Sequence, residues 1–161
     1  MNPIEALTTI RGYVVSALSL GVPAVDYIGF ADSGATYDCN CDGTSGRNGV
    51  LRVEWDSYES AEDGGGIDGG MGCTSDWILS GAVIVRRCMP AFGTVAGTTI
   101  GNAPEVADRQ ARSSALTVES WDVVQAMIAA RPIKVTSCNP WGPDGNCAGY
   151  DIRFTYVIES D

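Results

Sequence analysis

Val50-Leu51-Arg52-Val53-Glu54-Trp55-Asp56-Ser57-Tyr58 decides the class of fold. Leu51, Val53 and Trp55 fall on one side, and Arg52, Glu54 and Asp56 on the other. A period of two belongs to a strand with one face on a core and one toward water. Outward from it, Trp77 to Cys88 is apolar on both faces and reads as a central strand. Near the C-terminus, Tyr150, Ile152, Phe154, Tyr156 and Ile158 again share one face. Ile133 to Ser137 is expected to pair with that last strand around a turn-rich loop over 138–147. Val25 to Phe30 reads as a further short strand.

Two helices flank these strands. Asn2 is a good N-cap, Pro3 suits the first helical position, and Glu5 follows three residues after the cap. Ile4, Leu7, Ile10, Val14, Ala17 and Leu18 then fall on one helical face, and Gly21 and Pro23 stop it. This predicts a helix over 3–20. A second helix is expected from Pro104 to about Ala130, ended by Arg131-Pro132. Its inner stripe is read as Val106, Ala107, Ala111, Ser114, Val118, Trp121, Val124, Gln125 and Ile128. The order is α-β-β-β-α-β-β. Segregated helices and antiparallel-friendly strands make an α+β fold, with an antiparallel or mixed sheet packed by two main helices. With 161 residues the chain fits one domain, 1–161. Residues 31–49, the Gly-rich acidic stretch 59–72 and 89–103 read as loops.

Composition excludes several classes of function. Twenty acidic residues against ten basic ones leave a net charge of −10. Such a surface does not grip nucleic acid or an anionic membrane, both of which need clustered Lys and Arg. The longest apolar run, Trp77 to Val85, is broken by Ser80, whereas a bilayer needs about 20 apolar residues. The N-terminus does not read as a signal peptide, because Glu5 precedes any basic residue and Arg11 interrupts the apolar stretch. Histidine is absent. That removes Ser-His-Asp and Cys-His catalysis and the commonest zinc ligand. No enzyme activity and no cofactor are expected.

Short motifs add little. Asp38-Cys39-Asn40-Cys41-Asp42-Gly43 matches the first half of a calcium loop, but Gly49 stands where the bidentate Glu belongs. An Asx-rich turn fits better. Gly64, Gly66 and Gly69 spell a dinucleotide fingerprint inside an acidic loop that would repel a pyrophosphate. The six cysteines, Cys39, Cys41, Cys73, Cys88, Cys138 and Cys147, contain no C-x-x-C pair for zinc. Disulfides and free buried thiols both remain open, with Cys138 and Cys147 plausible partners across a hairpin. Trp55, Trp77 and Trp121 fall on core-facing positions of expected elements. Trp141, in the Pro140–Pro143 loop, is the exposed candidate for an interface anchor.

One combination is more specific. An N-terminal amphipathic helix is followed by Asp38-Cys39-Asn40-Cys41 ahead of Gly49-Val50-Leu51-Arg52-Val53. Then come Val83-Ile84-Val85-Arg86-Arg87-Cys88-Met89-Pro90 and a late helix near Ala103-Pro104-Glu105. This set resembles small neck proteins encoded beside the major tail protein in long-tailed phages of actinobacteria. The element order resembles their tail terminator fold. The long 59–72 and 138–147 loops depart from that pattern.

The resemblance implies a structural virion protein. Tail terminators form a hexameric ring that caps the tail tube, made of the major tail protein, and joins it to the head connector or stopper. DNA passes through the lumen without being held, and assembly takes place in the host cytoplasm. A ring needs head-to-tail contacts that close. Acidic residues suit a channel that must not hold phosphates, so Glu59, Glu62, Asp63 and Asp68 are candidates for a lumen or docking loop. A stopper or adaptor of the same neck is the nearest alternative. A disulfide-stapled extracellular binding module is the alternative from a different class, and an enzyme working with carboxylates alone is a third.

Overall fold

A computed structural model of the protein describes residues 1–23, 25–31, 49–60, 76–89, 94–95, 98–99, 103–144 and 147–158. Its elements run α1 (Pro3–Ala17), β1 (Val25–Phe30), β2 (Val50–Ser60), β3 (Trp77–Cys88), β4 (Thr94–Val95), β5 (Thr98–Thr99), α2 (Ala103–Ala129), β6 (Ile133–Asp144) and β7 (Cys147–Ile158). The fold is α+β, with the order of main elements that the sequence predicts. The two-residue strands β4 and β5 pair with each other inside the expected 89–103 loop.

Five strands form one mixed sheet in the order β1-β2-β3-β7-β6. β1 runs parallel to β2, and every other pair is antiparallel. β3 is the middle strand, and Leu79 and residues 82–87 along it are buried on both faces. Both helices lie on one face: α1 over β1 and β2, α2 over β6 and β7. That face carries the core of Leu51, Val53, Leu79, Val83, Val85, Ile152 and Phe154, with Leu7, Ile10 and Val14 of α1 against it.

α1 starts as its sequence dictates. The Asn2 side chain accepts from the Glu5 N–H at 2.9 Å, and the Asn2 N–H donates to the Glu5 carboxylate at 2.9 Å. Each satisfies a backbone donor that the first turn leaves over. The helix ends at Ala17 rather than residue 20, because Leu18 is already extended. The early exit frees Leu20 and Gly21 for the buried polar cluster described below.

α2 differs more from expectation. Its buried residues are Leu116, Glu119, Val123, Val124 and Met127, so Val124 alone of the expected inner stripe is buried. Val106, Val118, Trp121 and Ile128 are all exposed. The helix is apolar on two opposite sides, so hydrophobic periodicity by itself could not choose the inner one.

The loop expected at 138–147 is a correction of another kind. β6 continues to Asp144 and β7 begins at Cys147, so the hairpin turn is far shorter. Pro140 and Gly142 suggested a loop, but β6 is an edge strand, where such residues are tolerated. The pairing also shifts register between Trp141 and Asp144.

Candidate functional site

A groove of about 460 Å³ separates α2 from the β6–β7 hairpin. Met89, Leu116, Ser120, Cys138, Pro140 and Tyr150 line it. Beneath it lies a buried polar cluster. Arg87 reaches off β3 and grips Glu119 of α2 with two bonds, Nε to Oε1 at 3.0 Å and Nη2 to Oε2 at 2.8 Å. The Tyr150 hydroxyl donates to Glu119 Oε1 at 3.2 Å, and the Leu20 N–H donates to Oε2 at 2.8 Å. Arg87 Nη2 also donates to the Gly21 carbonyl at 2.7 Å.

This cluster holds the fold and offers little chemistry. Each Glu119 oxygen already accepts two hydrogen bonds, and the side chain is fully enclosed. Burial, reinforced by the Glu119 charge, pushes the Tyr150 hydroxyl far above its ordinary value and keeps it a donor. Cys138 is a free thiol. Burial raises its pKa, with the Asp151 charge adding to the rise and a hydrogen bond with Ser120 opposing it. A raised pKa leaves less thiolate and a weaker nucleophile. Among the described residues, no group of three His, Cys, Asp or Glu side chains could hold a metal ion.

The expected Cys138–Cys147 disulfide is not formed. Cys138 is free, whereas Cys147 and Cys88 are both disulfide-bonded. Register explains the miss. Cys138 stands opposite Ile152, five residues along β7 from Cys147. At about 3.3 Å per residue this is roughly 16 Å, against a bridging limit near 7 Å between Cα atoms.

Trp141 is half-buried rather than exposed. The guanidinium of Arg86 lies over its ring, 4.2 Å from the centroid. Arg86, Gly149 and Trp141 occupy one cross-strand row on β3, β7 and β6. Gly149 has no side chain between them, so Arg86 spans β7 to reach the ring. Arg86 is buried and also donates to Asp151 at 2.6 Å. Glu59 is exposed in β2, opposite Ile78 on the face away from the helices. Glu62, Asp63 and Asp68, the rest of the acidic 59–72 stretch, and the motifs at 38–43 and 64–69 lie outside the described residues.

The described surface is most distinctive in its exposed apolar groups. Phe30, Trp55, Tyr58 and Trp77 form a row from the end of β1 across the second half of β2 to the start of β3. Successive ring centroids are 5.0, 5.3 and 5.5 Å apart, with the two outer contacts edge-to-face. Phe30, Tyr58 and Trp77 remain exposed. No family model and no curated protein matches the chain. The surface carries two exposed apolar features: an aromatic row at one side of the sheet and Val118, Trp121 and Ile128 on the outer face of α2. The row was not legible in the sequence, because Phe30 meets Trp55 only through the parallel β1–β2 register. Trp77 and Trp121, expected inside, are both exposed.

Proposed function

We propose that the protein is a structural subunit of the neck of a long-tailed phage: a tail terminator whose copies close into a ring. The ring caps the tail tube of major tail protein and joins it to the head connector, and DNA passes through its lumen. The observation that carries this reading is the exposed aromatic row Phe30–Trp55–Tyr58–Trp77. A lone soluble subunit gains nothing by leaving stacked aromatics in water, and aromatic residues concentrate in interface cores. In this reading the row meets a different surface of the next copy, because head-to-tail contacts of that kind build rings.

Other features support it. The motifs at 38–41, 49–53 and 83–90 resemble neck proteins, and the element order resembles the terminator fold. A net charge of −10 suits a lumen that lets DNA slide. Disulfide-bonded Cys88 and Cys147 suit a particle that ends outside the cell. Among the described residues, no helix is long and apolar enough to cross a membrane.

Native mass spectrometry without reductant tests the proposal. A hexamer, or a multiple of one, is expected, either alone or after tail tubes are added. Trp77→Ser should abolish it. A wild-type chain that never forms such a ring, even on tail tubes, would rule the reading out.

A further inference from the structure

The aromatic row and the groove beside α2 stand at diagonally opposite corners of one sheet face. The row lies toward the ends of β1 and β2 and the start of β3. Trp55 falls in step with Leu51 and Val53, and Tyr58 stands opposite Leu79, so the rings share the face that bears the core and the helices. The groove lies where β6 ends and β7 begins, between that same face and α2. At about 3.3 Å per residue, β3 separates Trp77 from Met89 of the groove wall by roughly 40 Å. No subunit can place its own Trp77 in its own groove.

The groove suits an aromatic side chain. Its volume of about 460 Å³ is in the range that holds a small organic group. Leu116, Pro140 and Tyr150 give it apolar walls, Met89 and Cys138 offer sulfur to a ring, and half-buried Trp141 offers an edge or a face. Its charge also selects the occupant. In a chain with twenty acidic residues against ten basic ones, Arg109 is the one charged side chain among the described residues that line the groove. The row carries the opposite sign at the matching place: Asp76 directly precedes Trp77, which is 41% exposed. Arg109 and Asp76 each have an interaction within the chain already. A guanidinium has five donors and a carboxylate about four acceptor sites, so each has capacity for a further partner.

We infer that this groove is the surface of the next copy that receives the row, with Trp77 seated between α2 and β6 and Asp76 against Arg109. The joint rests on the reading that the row connects copies of this chain, and it supplies the other half of that contact. A peg and a socket at opposite corners of each subunit make a head-to-tail joint, which repeats from copy to copy until the rotation closes a ring. An aromatic anchor in a desolvated pocket forms the core of such a contact, and Ser113 and Thr117 on the α2 side form its polar rim.

The test uses the full chain under the conditions in which the ring forms, tail tubes included. Ser113→Trp fills the groove from an exposed helix position and leaves the row intact. Native mass spectrometry should find this variant monomeric, with the circular dichroism spectrum of wild type. Cys138 is a free thiol in the groove and reports its occupancy directly. In the wild-type ring it should alkylate about tenfold more slowly than in Trp77→Ser, read on its own peptide, because labelling then waits for the joint to open. A ring that survives Ser113→Trp, or equal labelling of Cys138 in the ring and in Trp77→Ser, overturns the groove as the seat of the row and leaves the ring standing. A wild-type chain that forms no ring overturns both.

Discussion

Arg87 and Glu119 take opposite charges into the interior, and each depends on the other for solvation. Removing one partner strands the other without water. Arg87→Met should therefore cost about 3–5 kcal/mol in a denaturant titration, the range for breaking a buried pair. Tyr150→Phe deletes one hydrogen bond to Glu119 and should cost about 1 kcal/mol. It should also change the response to alkali. The folded pKa of Tyr150 is raised above the ordinary value of 10.0, so below pH 10 both states hold the proton and the full contribution is present. Above that, the unfolded chain loses the proton while the folded one keeps it, and stability falls by up to about 1.4 kcal/mol per pH unit. Unfolding midpoints at pH 9 and 11 should diverge less in Tyr150→Phe than in wild type. Cys138 should alkylate more slowly than a small free thiol at pH 8, because burial holds it protonated. The sequence displays Arg86-Arg87 inside an apolar strand, which marks two buried charges. It does not tell that the pair points to opposite faces, one to Glu119 and one to Trp141, because those partners lie far along the chain.

At the scale of an element, α2 separates what periodicity can reveal from what it cannot. Its start near Pro104 and its stop before Pro132 follow from proline chemistry, and the structure agrees within a residue or so. Its inner face does not follow, because both sides present apolar residues at helical spacing. Only the position of the sheet chooses Leu116 over Val118. Leu116→Ala should cost about 2–5 kcal/mol as a core truncation. Val118→Ala should change the stability of an isolated subunit by no more than about 0.5 kcal/mol. Comparing their thermal midpoints in dilute protein checks the assignment. β6 shows the same limit differently. Pro140 and Gly142 are the residues from which a loop is read, yet strand pairing continues past them because an edge position leaves one row of backbone groups free. Gly149 marks the opposite case. A Cβ there would collide with the Val85 carbonyl oxygen, so Gly149→Ala should part β3 from β7 and weaken the Arg86–Trp141 contact. Loss of tryptophan fluorescence change on titrating wild type against that variant would report it.

At the scale of the molecule, a net charge of −10 and the exposed aromatic row Phe30–Trp55–Tyr58–Trp77 are the two most distinctive surface features. The overall class was legible because alternation in β2 and β7 and the capping box of α1 are local signals. Sheet order was not, because it depends on long-range pairing. That order has a consequence for synthesis. Of the five strands in the sheet, β7 leaves the ribosome after the other four, yet it sits between β3 and β6 in the interior of the sheet. It also supplies Tyr150 to a cluster whose other members come from Leu20, Arg87 and Glu119. A nascent chain therefore carries an open seam down its sheet until β7 has been made. Such long-range closure makes folding slow and all-or-none. A chain cut short before Cys147 lacks the pairing partner of both β3 and β6, so folding waits for β7 to emerge.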